Sequence, residues 1–342
     1  MKKFSKIAVI VLVLLVLAGY GLKVAGDATY YDDYDPDLAL NPEAGDIEEV
    51  KGPIKVFGVP QESDFLKRDI AFDARPGERV PATITYPGDY EEGDPKLPVI
   101  VYLHGNRQDR KFIEKITTPM NKAGFAMASF DQHGVGDRKI PDAGVLDLVR
   151  VHMKRPALTV NDGRRLIDYL QTRPEFDPDR IYLVGASYGA ITGTVLAAKD
   201  KRVKAAVLVV GGGSIPLILN APKIKDEVPE ILSAGTKPLI TFFMDVADPI
   251  HHAPLVAPTP VLMQNGEDDR VITKQAGEAL YAALGEPKQI KWYPIDHPGL
   301  RKEDGPEVLR LLDDGLAWLK EQDKPYRMVG EQEDAGELAQ AS

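Results

Sequence analysis

The chain has 342 residues, 44% of them apolar and 27% charged, which is enough for one large domain with a sizeable core. Its formal net charge of −10 argues against a nucleic-acid partner, whose phosphates it would repel. There is no cysteine, so disulfides, thiolate nucleophiles and cysteine-ligated zinc are all excluded.

Lys2, Lys3 and Lys6 precede a nearly unbroken apolar run from Ile7 to Leu22. That is the charged and then apolar pattern of a secretory signal, close to the lower length limit of a membrane-crossing helix. Residues 1–26 are therefore read as a signal peptide or an N-terminal membrane anchor. The lysines place the remainder outside the cytoplasm: secreted, periplasmic, or held at the outer face of the cytoplasmic membrane. From Asp27 to Glu49 there are nine acidic residues and no basic ones. Asp33, Asp35 and Asp37 have the alternate spacing of a calcium loop. Leu38 stands where its glycine belongs, however, and Ala44 where its closing glutamate belongs, so that reading fails. Residues 27–65 are expected to be a solvated acidic spacer.

Strand-like runs follow at 68–74 and 79–86, an early pair expected to be antiparallel. Further runs at 98–103, 125–130, 180–185, 203–210, 260–265 and 289–294 are apolar on both faces, as buried parallel strands should be. Helical stretches separate them, at roughly 111–123, 159–172, 188–199, 273–284 and 303–320. Repeated strand–helix units predict an α/β fold with a mostly parallel, doubly wound sheet over residues 66–322. The interval 212–259 is longer than one strand–helix unit needs. It reads either as an inserted lid or as an edge helix with long loops. Residues 323–342 look like a loose polar tail.

In open α/β sheets, ligands bind beyond the carboxyl ends of the strands. The chemically interesting clusters fall there: His104-Gly105-Asn106, Asp131 to Gly134, Ser187, Gly211 to Gly213, Gly266 to Asp269, and His297. Ser187 lies in Gly185-Ala186-Ser187-Tyr188-Gly189, between a strand and a helix. This G-x-S-x-G pattern alone arises by chance in roughly one chain in ten of this length, so the convergence on one rim carries the reading. A serine hydroxyl needs a base within hydrogen-bond reach, and His297 can take its proton. A carboxylate on the other ring nitrogen would fix the tautomer, and Asp269 is the best candidate, ahead of Asp268. The order serine, acid, histidine is that of an α/β-hydrolase. The backbone N–H groups of Tyr188 and Asn106 are the expected oxyanion donors. His104 is expected to be structural, and Asp245 and Asp248 to be cap or turn residues. A metal site at His251, His252 and His133 is disfavoured, because adjacent histidines point apart. No cofactor and no metal are expected.

The segments PVIVYLHGN, SFDQHGVGD, DYLQTRPEFDPDRIYLVGASYGA, DKRVKAAVLVVGG, TPVLMQNGEDDRVIT and DHPGL, in this order, resemble an α/β-hydrolase from about Arg68 to Lys320. Within that superfamily the chain is similar to the branch of dienelactone hydrolases, acetyl xylan esterases and prolyl oligopeptidase-like enzymes. The resemblance implies Asp269 rather than Asp268 as the acid and supports Asn106 as an oxyanion donor. Three features depart from it. Ala190 replaces a frequent second glycine, DQHGVGD replaces a D-x-R-G-x-G-x-S stretch, and no β-propeller precedes the domain. The implied activity is that of an exported serine hydrolase on a small-molecule carboxylic ester, touching a membrane only through its N-terminal segment. Its rivals are a peptidase or amidase on the same triad, and a silent hydrolase fold used as a binding module.

Overall fold

Backbone pairing turns the apolar runs into one continuous sheet. The computed structural model describes residues 19–21, 23–140, 144–227 and 230–340; the run from Ile7 to Leu22 lies outside them except for residues 19–21. The strands among the described residues are β1 (Glu43–Ala44), β2 (Glu48–Val56), β3 (Val59–Arg75), β4 (Glu78–Pro87), β5 (Leu97–Leu103), β6 (Ala126–Phe130), β7 (Phe176–Ala186), β8 (Val203–Val209), β9 (Val261–Gly266) and β10 (Lys288–Tyr293). Their order is β1-β3-β4-β6-β5-β7-β8-β9-β10, with β2 also pairing with β3. From β6 to β10 every pairing is parallel, whereas β1 to β4 join antiparallel. The mostly parallel α/β sheet and its antiparallel amino-terminal strands are therefore as expected.

Helices cover both faces, as an apolar parallel sheet requires. One face carries α2 (Val145–Gln171) and α3 (Tyr188–Lys199), whose Leu166, Ile167, Leu170 and Val195 pack with Phe72, Val101 and Leu183. The other carries α1 (Ile113–Lys122) and α8 (Gly305–Gln340), with Ile116, Met120, Val308 and Leu311 against Ile100, Tyr182 and Val207. Between β8 and β9 the interval 212–259 forms α4 (Ile215–Leu219), α5 (Pro222–Glu227) and α6 (Glu230–Met244), then short 3-10 turns. Helix α7 (Lys274–Ala283) links β9 to β10.

The structure corrects three expectations. The stretch 27–65 is no solvated spacer. Tyr31 is buried in the core, the Tyr30 hydroxyl donates to the Met153 carbonyl, and Tyr34 donates to Asp168 at 2.9 Å. The Arg165 guanidinium donates to the Pro36 and Leu38 carbonyls at 3.4 and 2.6 Å. The aromatics interleaved with the aspartates give this acidic segment an apolar side, and it lies along α2. Its end joins the sheet, because β2 and β3 form a hairpin turning at Phe57 and Gly58, both at positive φ as a two-residue turn demands. The tail is not loose where the domain was expected to end: Asp323 takes two bonds from Arg180 at 2.9 and 2.7 Å and one from the Tyr182 hydroxyl at 2.7 Å. Helix α8 continues from there to Gln340. Finally, α2 begins at Val145, well before residue 159, and runs through Pro156 rather than starting after it.

Candidate active site

Strand β7 ends at Ala186, and Ser187 turns the chain into α3 with φ 54° and ψ −115°. A non-glycine residue is rarely held at positive φ, and here the neighbours enforce it. The Ser187 N–H donates to the Val209 carbonyl at 2.8 Å. A Cβ on Gly185 would sit 2.3 Å from the Gly189 carbonyl oxygen, and one on Gly189 only 1.9 Å from that of Leu103. Both glycines of the motif are thus dictated by close approach of backbone to backbone.

The turn exposes the hydroxyl to His297, whose Nε2 lies 3.0 Å from the Ser187 Oγ. The other nitrogen, Nδ1, is 2.7 Å from Asp269 Oδ2. Asp269 Oδ1 accepts from the Val271 and Ile272 N–H groups at 2.7 and 2.8 Å. With its carboxylate fully buried and acting only as acceptor, Nδ1–H is the donor to it. That leaves Nε2 as acceptor for the serine proton. Asp268 faces elsewhere: its carboxylate is exposed and lies 3.4 Å from Arg301.

Asp296, just before the histidine, was not foreseen. Its Oδ1 accepts from the His297 and Arg270 N–H groups at 2.7 and 3.1 Å, while Oδ2 accepts from Arg270 Nε at 2.7 Å. Burial alone would raise this carboxyl, but the Arg270 and His297 amides and the Arg270 guanidinium bring it below its ordinary value. It is thereby kept ionised to hold the loop that carries the histidine. The only sequence signal for it was an aspartate adjacent to His297.

Tyr188 opens α3, where a first-turn N–H has no partner within the helix. Asn106 follows β5, and its side chain is pinned: Oδ1 accepts from Arg155 Nη1 at 2.9 Å. Arg155 Nη2 donates to Gln132 Oε1 at 2.9 Å, and Gln132 Nε2 donates to the His104 carbonyl, also at 2.9 Å. The guanidinium carbon lies 4.4 Å from the centre of the Tyr188 ring. Burial pushes this guanidinium below the ordinary arginine value, and only Tyr188 acts the other way. Burial likewise pushes the Tyr188 phenol up to about 12.

The remaining candidates have separate partners. His104 is fully buried with Nδ1–H on the Gly105 carbonyl at 2.9 Å. His251 faces Asp245, His252 faces the Val246 carbonyl, and His133 faces Glu78. Among the described residues no cluster of three or more histidine, aspartate or glutamate side chains is arranged to hold a metal. Asp248 accepts from the Ser214 and Ile215 N–H groups at 3.0 and 2.6 Å, closing the turn after Gly213.

A family model described as serine aminopeptidase, S33, matches residues 94–234, a span that contains Ser187 and ends before Asp269 and His297. An uncharacterized Salmonella typhimurium protein, YfhR, is 25% identical over 246 residues, covering 70% of this chain and 76% of that protein. Among solved structures, an acetyl xylan esterase from a Paenibacillus species matches with a TM-score of 0.61 at 18% identity, over 85% of this chain and 92% of the other. Acetyl xylan esterase 1 from a Thermoanaerobacterium species gives the same score and identity, over 85% and 93%. At such identities the likeness to the solved structures is one of fold.

Proposed function

We propose that this chain, a member of the α/β-hydrolase superfamily by its sheet and its relatives, is an exported serine hydrolase of carboxylic esters. One observation carries the reading: the unbroken contact from Ser187 Oγ to His297 Nε2 at 3.0 Å and from Nδ1 to Asp269 at 2.7 Å, on a strained turn. In this reading Ser187 attacks the ester carbonyl carbon as His297 takes its proton, and the Asn106 and Tyr188 N–H groups hold the oxyanion. Collapse of the tetrahedral intermediate breaks the bond to the alkoxide, which leaves with the proton from Nε2. A water deprotonated by the same nitrogen attacks the acyl-enzyme and frees the acid.

Hydrolysis of p-nitrophenyl acetate and longer esters, beside Ser187→Ala, tests this. The expected result is turnover by the wild type and a loss of up to ~10⁶-fold in the variant. Two folded, equally inert proteins that take no fluorophosphonate would sink it and leave a silent binding fold. The fold neighbours named acetyl xylan esterase favour a short acyl group, so acetate should outpace octanoate. The family model named for an aminopeptidase supports a second reading, peptide hydrolysis by the same groups. A faster rate on an aminoacyl anilide than on the matching ester would favour that reading.

Export rests on Lys2, Lys3, Lys6 and the apolar run after them. Among the described residues no helix is long and apolar enough to cross a membrane. The first described residues nevertheless expose Tyr20 and Val24, and Lys23 sits 5.0 Å over Phe242 of α6. Leu239, Ile240 and Phe243 of α6 are exposed as well. An apolar surface beside the point where the apolar run ends suits a domain held against a bilayer. Recovery of the full chain in the cytosolic fraction, inaccessible to external protease, would contradict export.

A further inference from the structure

Arg155 is a buried cation without a counter-charge. It is 5% exposed, and none of the ion pairs among the described residues includes it. Its two terminal nitrogens reach only neutral amide oxygens, Asn106 Oδ1 and Gln132 Oε1, and its plane lies on the Tyr188 ring. Its Nε is buried without a partner. An isolated interior charge is costly, and a leucine or methionine would pack this helix face with less penalty. Two of the three residues it touches, Asn106 and Tyr188, are those whose N–H groups are the proposed oxyanion donors. Gln132 extends the contact to the His104 carbonyl, so the loop 104–106 is gripped at two points.

Building on the hydrolase reading above, we infer that Arg155 is a positioning residue for the oxyanion. It fixes the Asn106 loop, and its uncompensated charge offsets the negative charge that develops between the Asn106 and Tyr188 N–H groups. The counter-anion missing from the resting protein is supplied by the transition state itself. A fixed cation in a dry site favours that anion without reorganisation. The neutral ester ground state gains little from the same charge, so the effect falls on kcat rather than KM. Gln132, which has no evident role in the sequence, is then the second arm of the same clamp.

Three variants test this in the full chain: Arg155→Gln, Arg155→Lys and Asn106→Asp. Arg155→Gln should lower kcat about 10²-fold, the scale of one oxyanion donor, with KM changed less than about threefold. Its affinity for a phenylboronic acid, which forms a tetrahedral anion on the serine, should fall by a similar factor. Arg155→Lys should recover part of both. Asn106→Asp is the sharper probe, because it keeps the backbone N–H and the oxygen facing Arg155 while pairing the lone guanidinium with a carboxylate. It should raise the unfolding temperature and still lower kcat. It also carries the test should Arg155→Gln fail to fold. If Asn106→Asp retains the wild-type kcat, or if activity in all three merely tracks unfolding temperature, Arg155 is only a packing residue and the inference is overturned. An active wild type equalled by its variants overturns this inference alone. A wild type that neither turns over esters nor takes fluorophosphonate overturns the hydrolase reading first.

Discussion

Mild acid should destabilise this protein through His104. The imidazole is fully buried beneath the Asn106 loop, its Nδ1–H is taken by the Gly105 carbonyl, and its Nε2 has no protein partner among the described residues. A second proton would create an unpaired interior cation. Burial is the main cause that pushes its pKa down to about 4; the Gly105 hydrogen bond opposes this, the Arg155 charge adds to it, and Asp131 and Asp109 oppose it. In the unfolded chain a histidine titrates near about 6.5. Between these two values the unfolded chain binds the extra proton and the folded chain does not, so stability is complete above about pH 6.5 and falls as the pH drops toward 4. At about 1.36 kcal/mol per unit, the loss is about 2 kcal/mol at pH 5 and about 3 kcal/mol by pH 4. Urea unfolding followed by Trp292 and Trp318 fluorescence, for wild type and His104→Gln, isolates the term because the carboxylates are common to both. From about pH 7.5 to about pH 5 the wild type should lose about 2 kcal/mol more than the variant. Parallel pH curves would refute the reasoning.

Other consequences follow from single contacts. Asp269→Asn should lower kcat about 10⁴-fold with the unfolding temperature little changed, because an amide NH₂ facing Nδ1 puts the imidazole proton on Nε2 and removes the acceptor for Ser187; ester kinetics and thermal unfolding check both. Ser187→Gly should abolish activity yet stabilise the fold by about 1 kcal/mol, since it relieves the positive φ of 54°; a lowered unfolding temperature would show that no strain is held there. Asp323→Ala strands Arg180 and Tyr182, both mostly enclosed, and should cost about 3 kcal/mol in denaturant unfolding. A cost near zero would return residue 323 to a dispensable tail.

The fold was largely legible because its signals are local. Seven of the eight strand-like runs match β4 to β10 within about four residues at either end, and β5 to β9 are the ones buried on both faces, since continuous hydrophobicity is what such burial demands; β3 starts at Val59, nine residues before its expected run. The acidic stretch defeated the same logic. Its charge count describes the exposed side of a segment whose Tyr30 and Tyr34 are held against α2 and whose Tyr31 packs on His252, all by partners more than 100 residues away. Asp323 was misjudged for the same reason, because its arginine and tyrosine partners lie 143 and 141 residues back in the chain. Helix α2 starts at Val145 rather than near 159, because its packing along the sheet carries the helix through Pro156.

The candidate site divides along the same line. Ser187, Asp269 and His297 could be picked out because each needs a specific residue type at the end of its own strand, and chain order supplies the rest. The residues behind them had no such signature. Asp296 acts by holding backbone N–H groups, Gln132 by linking a carbonyl to a guanidinium, and Arg155 by standing in the interior of a helix 49 residues beyond Asn106. Any of the three is ordinary as a letter and becomes chemically pointed only by its burial. The D-x-R-G stretch of the enzymes this chain resembles has an arginine where this chain has His133, which instead faces Glu78. In the reading proposed above, the cation on the oxyanion side comes instead from α2, as Arg155, and Gln132 gives it a neutral acceptor. If Arg155 acts as inferred above, the side chain at 132 has to offer its guanidinium a neutral acceptor, because a carboxylate there would take up the charge that the site needs.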